Sequence, residues 1–252
     1  MDVATRRAEG ILSSNAIKIL ACIFMAVDHV GLSIFPDIIA FRAIGRLAFP
    51  LFAFFIAEGC AYTRNKSKRL FTMLFWGVLY FCFYYFYSKI LYANIFMTFS
   101  VSIMLIYLLQ FCKKTVIEKP TAIRIIGAVL IYAAALGAAY MLFKFISFDY
   151  GFKGMLVPVL ASLFDFRGMS VPRSVARLDN KYLKLFCFSI GLFLLAINAT
   201  FGYWQFCSFI ALIPLLLYNG KVGNKRMKYM FYIFYPVHLL VIEGIAMLIK
   251  LI

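Results

Sequence analysis

The sequence predicts an all-α integral membrane protein, a polytopic helical bundle of about nine transmembrane helices whose N-terminus lies inside. Three observations predict this class. The 252 residues are 65% hydrophobic and 14% charged, whereas soluble domains are about half apolar and about a quarter charged. The mean hydropathy is +0.92. Apolar runs of spanning length follow one another along the chain, so we expect a single membrane domain over residues 1–252.

Windows of about 17–25 apolar residues predict the individual spans. The sixth and the eighth are short, and the sixth contains Lys153 and Pro158, so these two spans are expected to be tilted, broken or re-entrant. The longest polar connection, residues 165–182, is basic and suits a loop on the membrane surface. The predicted spans are residues 16–35, 44–63, 70–88, 94–112, 123–143, 150–165, 182–198, 203–218 and 229–249.

Lysine and arginine residues orient this bundle. With the N-terminus in the cytoplasm, most of the 26 lysines and arginines fall in the segments on the inside. Short, positively charged loops stay cytoplasmic, so the pattern predicts an N-in, C-out protein of the plasma or inner membrane. The formal net charge of +16 is then mostly a consequence of topology, and no nucleic-acid partner is expected.

The first predicted span carries Lys18, Asp28 and His29 within an apolar run. A charge inside a bilayer costs from a few to more than about ten kcal/mol, so such residues usually line a site or a pathway. At 3.6 residues per turn, Lys18 and His29 fall on nearly the same face, roughly 16 Å apart, and Asp28 lies about 100° around the helix. The span therefore predicts a functional site in which His29 is the first candidate.

The other polar residues divide by predicted depth. Glu58 lies near the cytoplasmic end of the second span, at a depth close to that of Lys18, and a basic turn that contains Arg64 and Arg69 follows it. A second group falls in the middle or outer half of the membrane: Asp28, His29, Arg42, Arg46, Asn94, Asp149, His238 and Glu243.

Several of these residues also have a structural interpretation. Lys18, Arg42 and Arg46 are consistent with anchors that snorkel near span ends. Asn94 and Asp149 are consistent with helix caps, and the basic turn is consistent with a topology signal alone.

The two histidines differ in this respect. His238 follows Pro236, and a carbonyl freed near the kink is a natural acceptor for its ring, so a structural role and a chemical role stay open. The adjacent Asp28 and His29 favour a functional role, because a carboxylate and an imidazole deep in one span are both costly. The six cysteines show no CxxC or Cys/His spacing, so neither a metal site nor a disulfide is expected.

Five stretches of the chain resemble the TraX family, whose name-giving member acetylates the N-terminus of conjugative pilin in the inner membrane. They cover most of the chain in the same order. The family is in turn similar to the integral-membrane acyltransferases that include acyltransferase family 3 and heparan-glucosaminide N-acetyltransferase. The stretches are IKILACIFMAVDHVG, RAIGRLAFPLFAFFIAEG with the following YTR, NIFMTFSVSIMLIYLL, DYGFKGML, and LLLYNGK with KYMFYIFYPVHLL.

This resemblance carries a motif in the first helix, a lysine or arginine followed after ten residues by a histidine, which Lys18 and His29 reproduce. By resemblance, His29 is the catalytic histidine and cytoplasmic acetyl-CoA is the donor. The Arg-x-x-Arg motif of family 3 is not reproduced, because Arg42 and Arg46 have three residues between them. Its role is not transferred to them.

The chemistry expected of such a site needs a base that removes the proton of an attacking amine or hydroxyl, and a neutral imidazole suits that task. His29 is the expected base. Asp28 is a candidate for fixing its tautomer, although a contact from Asp149, Glu243 or a water is equally consistent with the helical geometry.

The expected binding groups lie on both sides of that base. Arg42, Arg46 or Asn94 are candidates for steadying an oxyanion. On the cytoplasmic side, Arg64 and Arg69 are expected to contact the phosphates of CoA, with the pantetheine arm passing Lys18 and Glu58.

Two other functions stay open. A proton-coupled secondary transporter also places ionisable residues in a bundle, although the chain shows no internal repeat. A non-catalytic membrane assembly factor of a conjugation or surface system is the other. The acceptor of an acyltransferase would be a pilin-like peptide N-terminus or an envelope glycan.

Overall fold

The computed structural model describes residues 10–197, 202–221, 223 and 227–251. The predicted cytoplasmic residues Arg6, Arg7, Lys225 and Arg226, and the end of the span 182–198, lie outside the described residues. The helices pack as two compact units. Unit 1 contains the described part of residues 1–52 and 196–252, and unit 2 contains residues 53–195.

The described chain is mostly helical, as the sequence predicts. One small parallel ladder joins β1 (Tyr92–Ala93) to β2 (Ser147–Phe148). The helices are α1 (Ser14–Ser33), α2 (Ile39–Gly45), α3 (Ala48–Tyr62), α4 (Lys66–Ser88), α5 (Ile95–Glu118), α6 (Ala122–Phe145), α7 (Gly151–Ala161), α8 (Arg173–Ala176), α9 (Lys181–Ala196), a 3₁₀ helix (Gly202–Ala211), α10 (Leu212–Leu216) and α11 (Lys228–Leu251).

Six helices of the described chain are long and apolar enough to cross a membrane: α1, α2 together with α3, most of α4, α5, α6 and most of α11. The prediction of a multi-pass helical membrane protein is therefore confirmed. The other three predicted spans coincide with shorter segments, namely α7 of 11 residues, α9 of 16 residues and Gly202–Leu216. The total of nine crossings and the N-in orientation stay predictions.

In unit 1, α1 and α2 form a close antiparallel hairpin that depends on two glycines. A Cβ at Gly45 would collide with Oδ1 of Asp28, and a Cβ at Gly31 would collide with the Cβ of Phe41. Small residues let helix backbones approach closely in membranes, where van der Waals packing drives association. This approach brings the polar residues of α2 within reach of Asp28.

The last helix, α11, packs along α1 in the same direction. Residues nearer the C-terminal end of α1 contact residues nearer the C-terminal end of α11, as expected for parallel packing. In order, they join Asn15 to Met227, Lys18 to Phe231, His29 to His238, and Ser33 to Glu243.

The eighth predicted span is short because most of it is a 3₁₀ helix. Gln205, Ser208 and Ala211 are its buried residues, as expected for three residues per turn. A 3₁₀ helix rises about 2.0 Å per residue, so residues 202–216 reach about 27 Å, close to the roughly 30 Å of a bilayer core. The segment packs against α2, and Tyr218 beyond it pairs with Leu12, just before α1.

In unit 2, α4, α6 and α7 pack around α5. Two buried serines of α5 have their hydroxyl groups hydrogen-bonded inside this unit. Ser102 donates a hydrogen bond to the carbonyl of Met155 in α7 at 2.9 Å, and Ser100 donates to the carbonyl of Phe96 at 2.8 Å. Such internal pairing is what an apolar surrounding requires of buried hydroxyls.

We predict that Gly45→Ala destabilises the protein by about 1–3 kcal/mol, because the added methyl group collides with the Asp28 carboxylate and overpacks the hairpin. Gly137→Ala in α6 is the matched control, since no atom lies within 4 Å of the position that its new Cβ would take. The control should be neutral or stabilising by about 0.5–1 kcal/mol. Thermal unfolding in detergent measures both, and equal stability of the two variants would contradict the close packing of α1 and α2.

Candidate active site on the first and last helices

An ion triad lies where α1 meets α2. The Asp28 carboxylate accepts hydrogen bonds from Nη1 of Arg42 at 2.8 Å and from Nη2 of Arg46 at 3.1 Å. The two arginines are four residues apart, which places them on one face of the helical turn. The side chains of Asp28 and Arg46 are only 14% and 4% exposed. The triad has a formal net charge of +1 and uses Arg42 and Arg46 to bind a carboxylate, not as surface anchors.

The His29 ring contacts other groups. Its Nδ1 lies 2.9 Å from the carbonyl oxygen of Met25 and 3.0 Å from Nε2 of His238. The expectation that Asp28 fixes the tautomer of His29 is therefore wrong, since Met25 and His238 occupy that nitrogen. Adjacent side chains on a helix diverge by about 100°, which is the physical reason.

His238 is held in turn by its own helix. Its Nδ1 lies 2.7 Å from the carbonyl oxygen of Phe234, and its ring stacks on the Phe234 ring at 4.7 Å between centroids. The acceptor is thus the carbonyl four residues before His238. It is not the carbonyl of Tyr232, to which Pro236 has no N–H to donate.

These contacts determine the tautomers of both rings. A carbonyl oxygen only accepts, so the Nδ1 of His29 and the Nδ1 of His238 must each carry a hydrogen. The Nε2 of His238 then accepts from His29. When both rings are neutral, the Nε2 of His29 has an unprotonated lone pair, and it accepts no hydrogen bond from any residue that the structure describes. The pair therefore presents one basic nitrogen.

The seam between α1 and α11 also places two other predicted residues. The Lys18 ammonium lies 5.5 Å from the centroid of the Phe231 ring. Glu243 accepts a hydrogen bond from the Ser33 hydroxyl at 2.6 Å. Lys18, His29 and Ser33 all face α11, so the polar stripe of α1 lies along one helix contact. Among the described residues, no group of three or more His, Cys, Asp or Glu side chains is placed to hold a metal.

A groove of about 470 Å³ runs beside this seam. Its lining side chains come from α1, α2 and α11 and expose apolar surface to it. They include Val30, Phe41 and Phe234. Phe234 links the groove to the site, since its ring stacks on His238. An apolar part of a ligand has room here.

Unit 2 contains a separate buried charge cluster that sequence reasoning missed in part. Lys184 donates to the Glu58 carboxylate at 2.5 Å and lies 3.7 Å from the Asp165 carboxylate. All three are buried, at 9%, 6% and 4% exposure. In the sequence, Asp165 and Lys184 lie at or near the two ends of the predicted loop 165–182. Their opposite charges were the only signal that could have indicated an ion pair. Glu58, expected beside the pantetheine arm, is instead ion-paired.

The two arginines expected to bind phosphate have different surroundings. Arg64 is exposed in the turn between α3 and α4, where it can meet a soluble ligand. Nη2 of Arg69 instead donates to the carbonyls of Phe55 and Ile56 in α3, each at 3.3 Å. The position of Arg69 therefore does not support the predicted contact with CoA.

Asn94 is a helix cap. Its Oδ1 accepts from the amides of Phe96 and Met97, and its Nδ2 donates to the Gly77 carbonyl at 2.8 Å. With the residue fully buried and both polar atoms engaged, the oxyanion role expected of Asn94 has no support.

Asp149 lies next to β1 in unit 2. Its amide donates to the Ala93 carbonyl, and its own carbonyl accepts from the Thr98 hydroxyl at 2.8 Å. Burial, together with the neighbouring Asp149 carboxylate, raises the pKa of the Tyr92 hydroxyl. The contacts of Asp149 therefore make it part of the connection between β2 and α7, and they lend no support to a role beside His29.

Comparison with known proteins confirms the resemblance. The family model described as TraX protein matches residues 13–246. A segment of 71 residues is 38% identical to a "Probable fimbrial assembly protein FimC, serogroup H1" of Dichelobacter nodosus and covers 27% of this chain and 29% of that protein. Another of 65 residues is 35% identical to the "Uncharacterized protein RP591" of Rickettsia prowazekii and covers 26% of this chain and 24% of that protein. The matches span less than a third of either relative, and no solved structure matches.

We predict that Asp28→Asn destabilises the protein by about 3–5 kcal/mol, because it leaves the buried Arg46 guanidinium and the half-buried Arg42 guanidinium without their carboxylate. The double variant Asp28→Asn with Arg46→Met removes one of those charges as well. It should therefore lose less stability than the sum of the two single variants. Unfolding of all three variants in detergent measures this, and strict additivity would show that the triad is not energetically coupled.

Proposed function

This chain belongs to the TraX family, and on that premise we propose that it is an integral-membrane acyltransferase. It moves an acetyl group from acetyl-CoA to an amine or hydroxyl acceptor. The observation that carries the proposal is the geometry of His29 on α1, whose Nδ1 contacts the Met25 carbonyl and Nε2 of His238, so that Nε2 of His29 is the nitrogen left to act as a base. Acyl transfer requires a base of this kind.

In the proposed reaction, Nε2 of His29 takes the proton of the acceptor as its nitrogen or oxygen attacks the thioester carbonyl. The carbonyl oxygen becomes an oxyanion, and the guanidinium groups of Arg42 and Arg46, each with several N–H donors, stabilise it. The carbon–sulfur bond then breaks. The CoA thiolate leaves with the proton returned from His29, and the acceptor keeps the acetyl group.

The proposed donor enters from the cytoplasm, where CoA is made, and the acceptor is met at the outer half of the membrane. Lys18 lies on the stripe that leads to His29. A contact of the exposed Arg64 with the CoA phosphates stays a prediction. The acceptor is a peptide N-terminus or an envelope glycan. The name of the Dichelobacter nodosus relative supports a function in the assembly of surface filaments. The family name supports a function in conjugation.

We propose the nine-span, N-in topology on the strength of helix direction. The parallel packing of α1 and α11 supports an odd number of crossings in the chain between them. Four of the long helices of the described chain lie between α1 and α11, so an odd number needs one or three further crossings in residues 146–227. The segment 202–216 packs against α2, which follows the C-terminal end of α1, and Tyr218 just after it pairs with Leu12, which precedes the N-terminal end of α1. The segment therefore runs along the length of α1, which supports one crossing. The segments α7 and α9 then cross together or not at all.

A second candidate function is a non-catalytic membrane assembly factor, favoured by the name of the same relative. A third, a proton-coupled transporter, is favoured by the buried charges of Glu58, Asp165 and Lys184. An assembly factor needs neither a free base nor acetyl-CoA. A transporter should bind no CoA. Isothermal titration of the purified protein with CoA therefore separates the first function from the other two.

We predict that His29→Ala abolishes acetyl transfer, a loss of at least about 10²–10⁴-fold as expected for a general base. The protein should still insert and unfold at the wild-type temperature. Ser33→Ala, also on the seam but on a different contact, is the matched control and should keep most activity. Transfer of labelled acetyl from acetyl-CoA in nanodiscs measures both. Normal turnover by His29→Ala would remove His29 from the mechanism.

We predict that a reporter inserted after Gly168 reads as cytoplasmic, because the basic loop 165–182 lies inside when α7 and α9 both cross. A reporter after Ile252 should read as extracytoplasmic and one at Asn219 as cytoplasmic. An extracytoplasmic signal after Gly168, with the other two unchanged, would mean seven crossings. A cytoplasmic C-terminus would overturn the N-in, odd-numbered topology altogether.

A further inference from the structure

The contact between His29 and His238 is an N–H···N hydrogen bond that the reaction described above does not use. We propose that His238 is a positioning residue, which accepts the hydrogen bond from Nδ1 of His29 and stabilises the imidazolium formed when Nε2 takes the acceptor's proton. This inference rests on the proposed function. It assigns to a second histidine the role that an acidic residue has in many catalytic triads.

The geometry supports an acceptor at this point. The Met25 carbonyl near Nδ1 of His29 also accepts a backbone hydrogen bond within α1. Nε2 of His238, which lies 3.0 Å from Nδ1 of His29, takes part in no backbone hydrogen bond with a residue that the structure describes. A hydrogen bond to a charged donor is roughly twice as strong as a neutral one. The contact therefore strengthens as His29 becomes charged, which is when stabilisation accelerates the reaction.

His238 is also built to hold its place. It is 7% exposed, its Nδ1–H donates to the Phe234 carbonyl, and its ring stacks on that of Phe234. It can accept the Nδ1 proton of His29 at Nε2 without giving up this bond. The positive charge then spreads over two rings, and the proton returns when the CoA thiolate removes the other proton from Nε2 of His29.

The surrounding charges explain why a neutral partner is useful. On α1 and α2, the charged groups that act electrostatically on His29 are Asp28, Arg42 and Arg46. The Asp28 carboxylate is already shared by the two guanidiniums. On the seam with α11, Lys18 and Glu243 lie farther along the helices. An imidazolium on His29 therefore forms beside a triad of net positive charge. A second ring that shares the proton relieves this repulsion.

A spectroscopic experiment tests the contact without any substrate. The chain has two histidines, so nitrogen-15 labelling of histidine gives four ring signals for the protein in nanodiscs. We expect both Nδ1 atoms to be protonated and a scalar coupling across the hydrogen bond between Nδ1 of His29 and Nε2 of His238. A His29 ring protonated at Nε2, or the absence of that coupling, would overturn the inference.

A kinetic experiment tests the role. His238→Gln keeps an acceptor oxygen near the position of Nε2, and His238→Leu keeps the volume but has no acceptor. We expect His238→Leu to lower kcat for acetyl transfer about 10–100-fold, with little change in KM for acetyl-CoA, and His238→Gln to recover most of the loss. Both variants should unfold near the same temperature.

Equal kcat values for the two variants, or full activity of His238→Leu, would show that His238 only fills space. Those results would overturn this inference while wild-type activity upheld the proposed function. A wild-type protein that transfers no acetyl group would instead overturn the proposed function, and the role of His238 in it, even with the scalar coupling present.

Discussion

The ion triad of Asp28, Arg42 and Arg46 is the constraint on which unit 1 depends. Three ionised groups inside an apolar surrounding are tolerable only as a hydrogen-bonded set, since a single unpaired charge there costs several kcal/mol. The hydrogen bonds of the triad form only when α2 lies close to α1, and the absence of a side chain at Gly45 permits this close packing. The hairpin is thus shaped by electrostatics as much as by apolar packing.

The triad also separates two roles on neighbouring residues. Asp28 points to the arginines of α2, and His29 points to α11, because successive side chains diverge around a helix. Each face of α1 therefore carries its own polar contact. In the reaction that we propose, the histidine pair supplies the base and the triad supplies donors suited to an oxyanion. The chemistry that we propose depends on this division.

Some of the fold and the site could be predicted because the evidence is local in sequence. The long apolar runs predicted the membrane helices, and the cost of intramembrane charge singled out Lys18, Asp28 and His29. Pairings between distant residues could not be predicted in this way. Asp28 with Arg46, His29 with His238, and Glu58 with Lys184 join side chains whose separation along the chain says nothing about their distance in space.

The sequence by itself determined the membrane class and the family, and it predicted His29 as the candidate base, because hydropathy and motif spacing are properties of the chain. Only the tertiary structure decided the partners of each polar group. It joined the side chain of Asn94 to the Gly77 carbonyl of α4, directed Arg69 toward the backbone of α3, and brought His238 to His29. The physical reason is that hydrogen bonds act over about 3 Å, and helix packing alone determines which groups come within that distance.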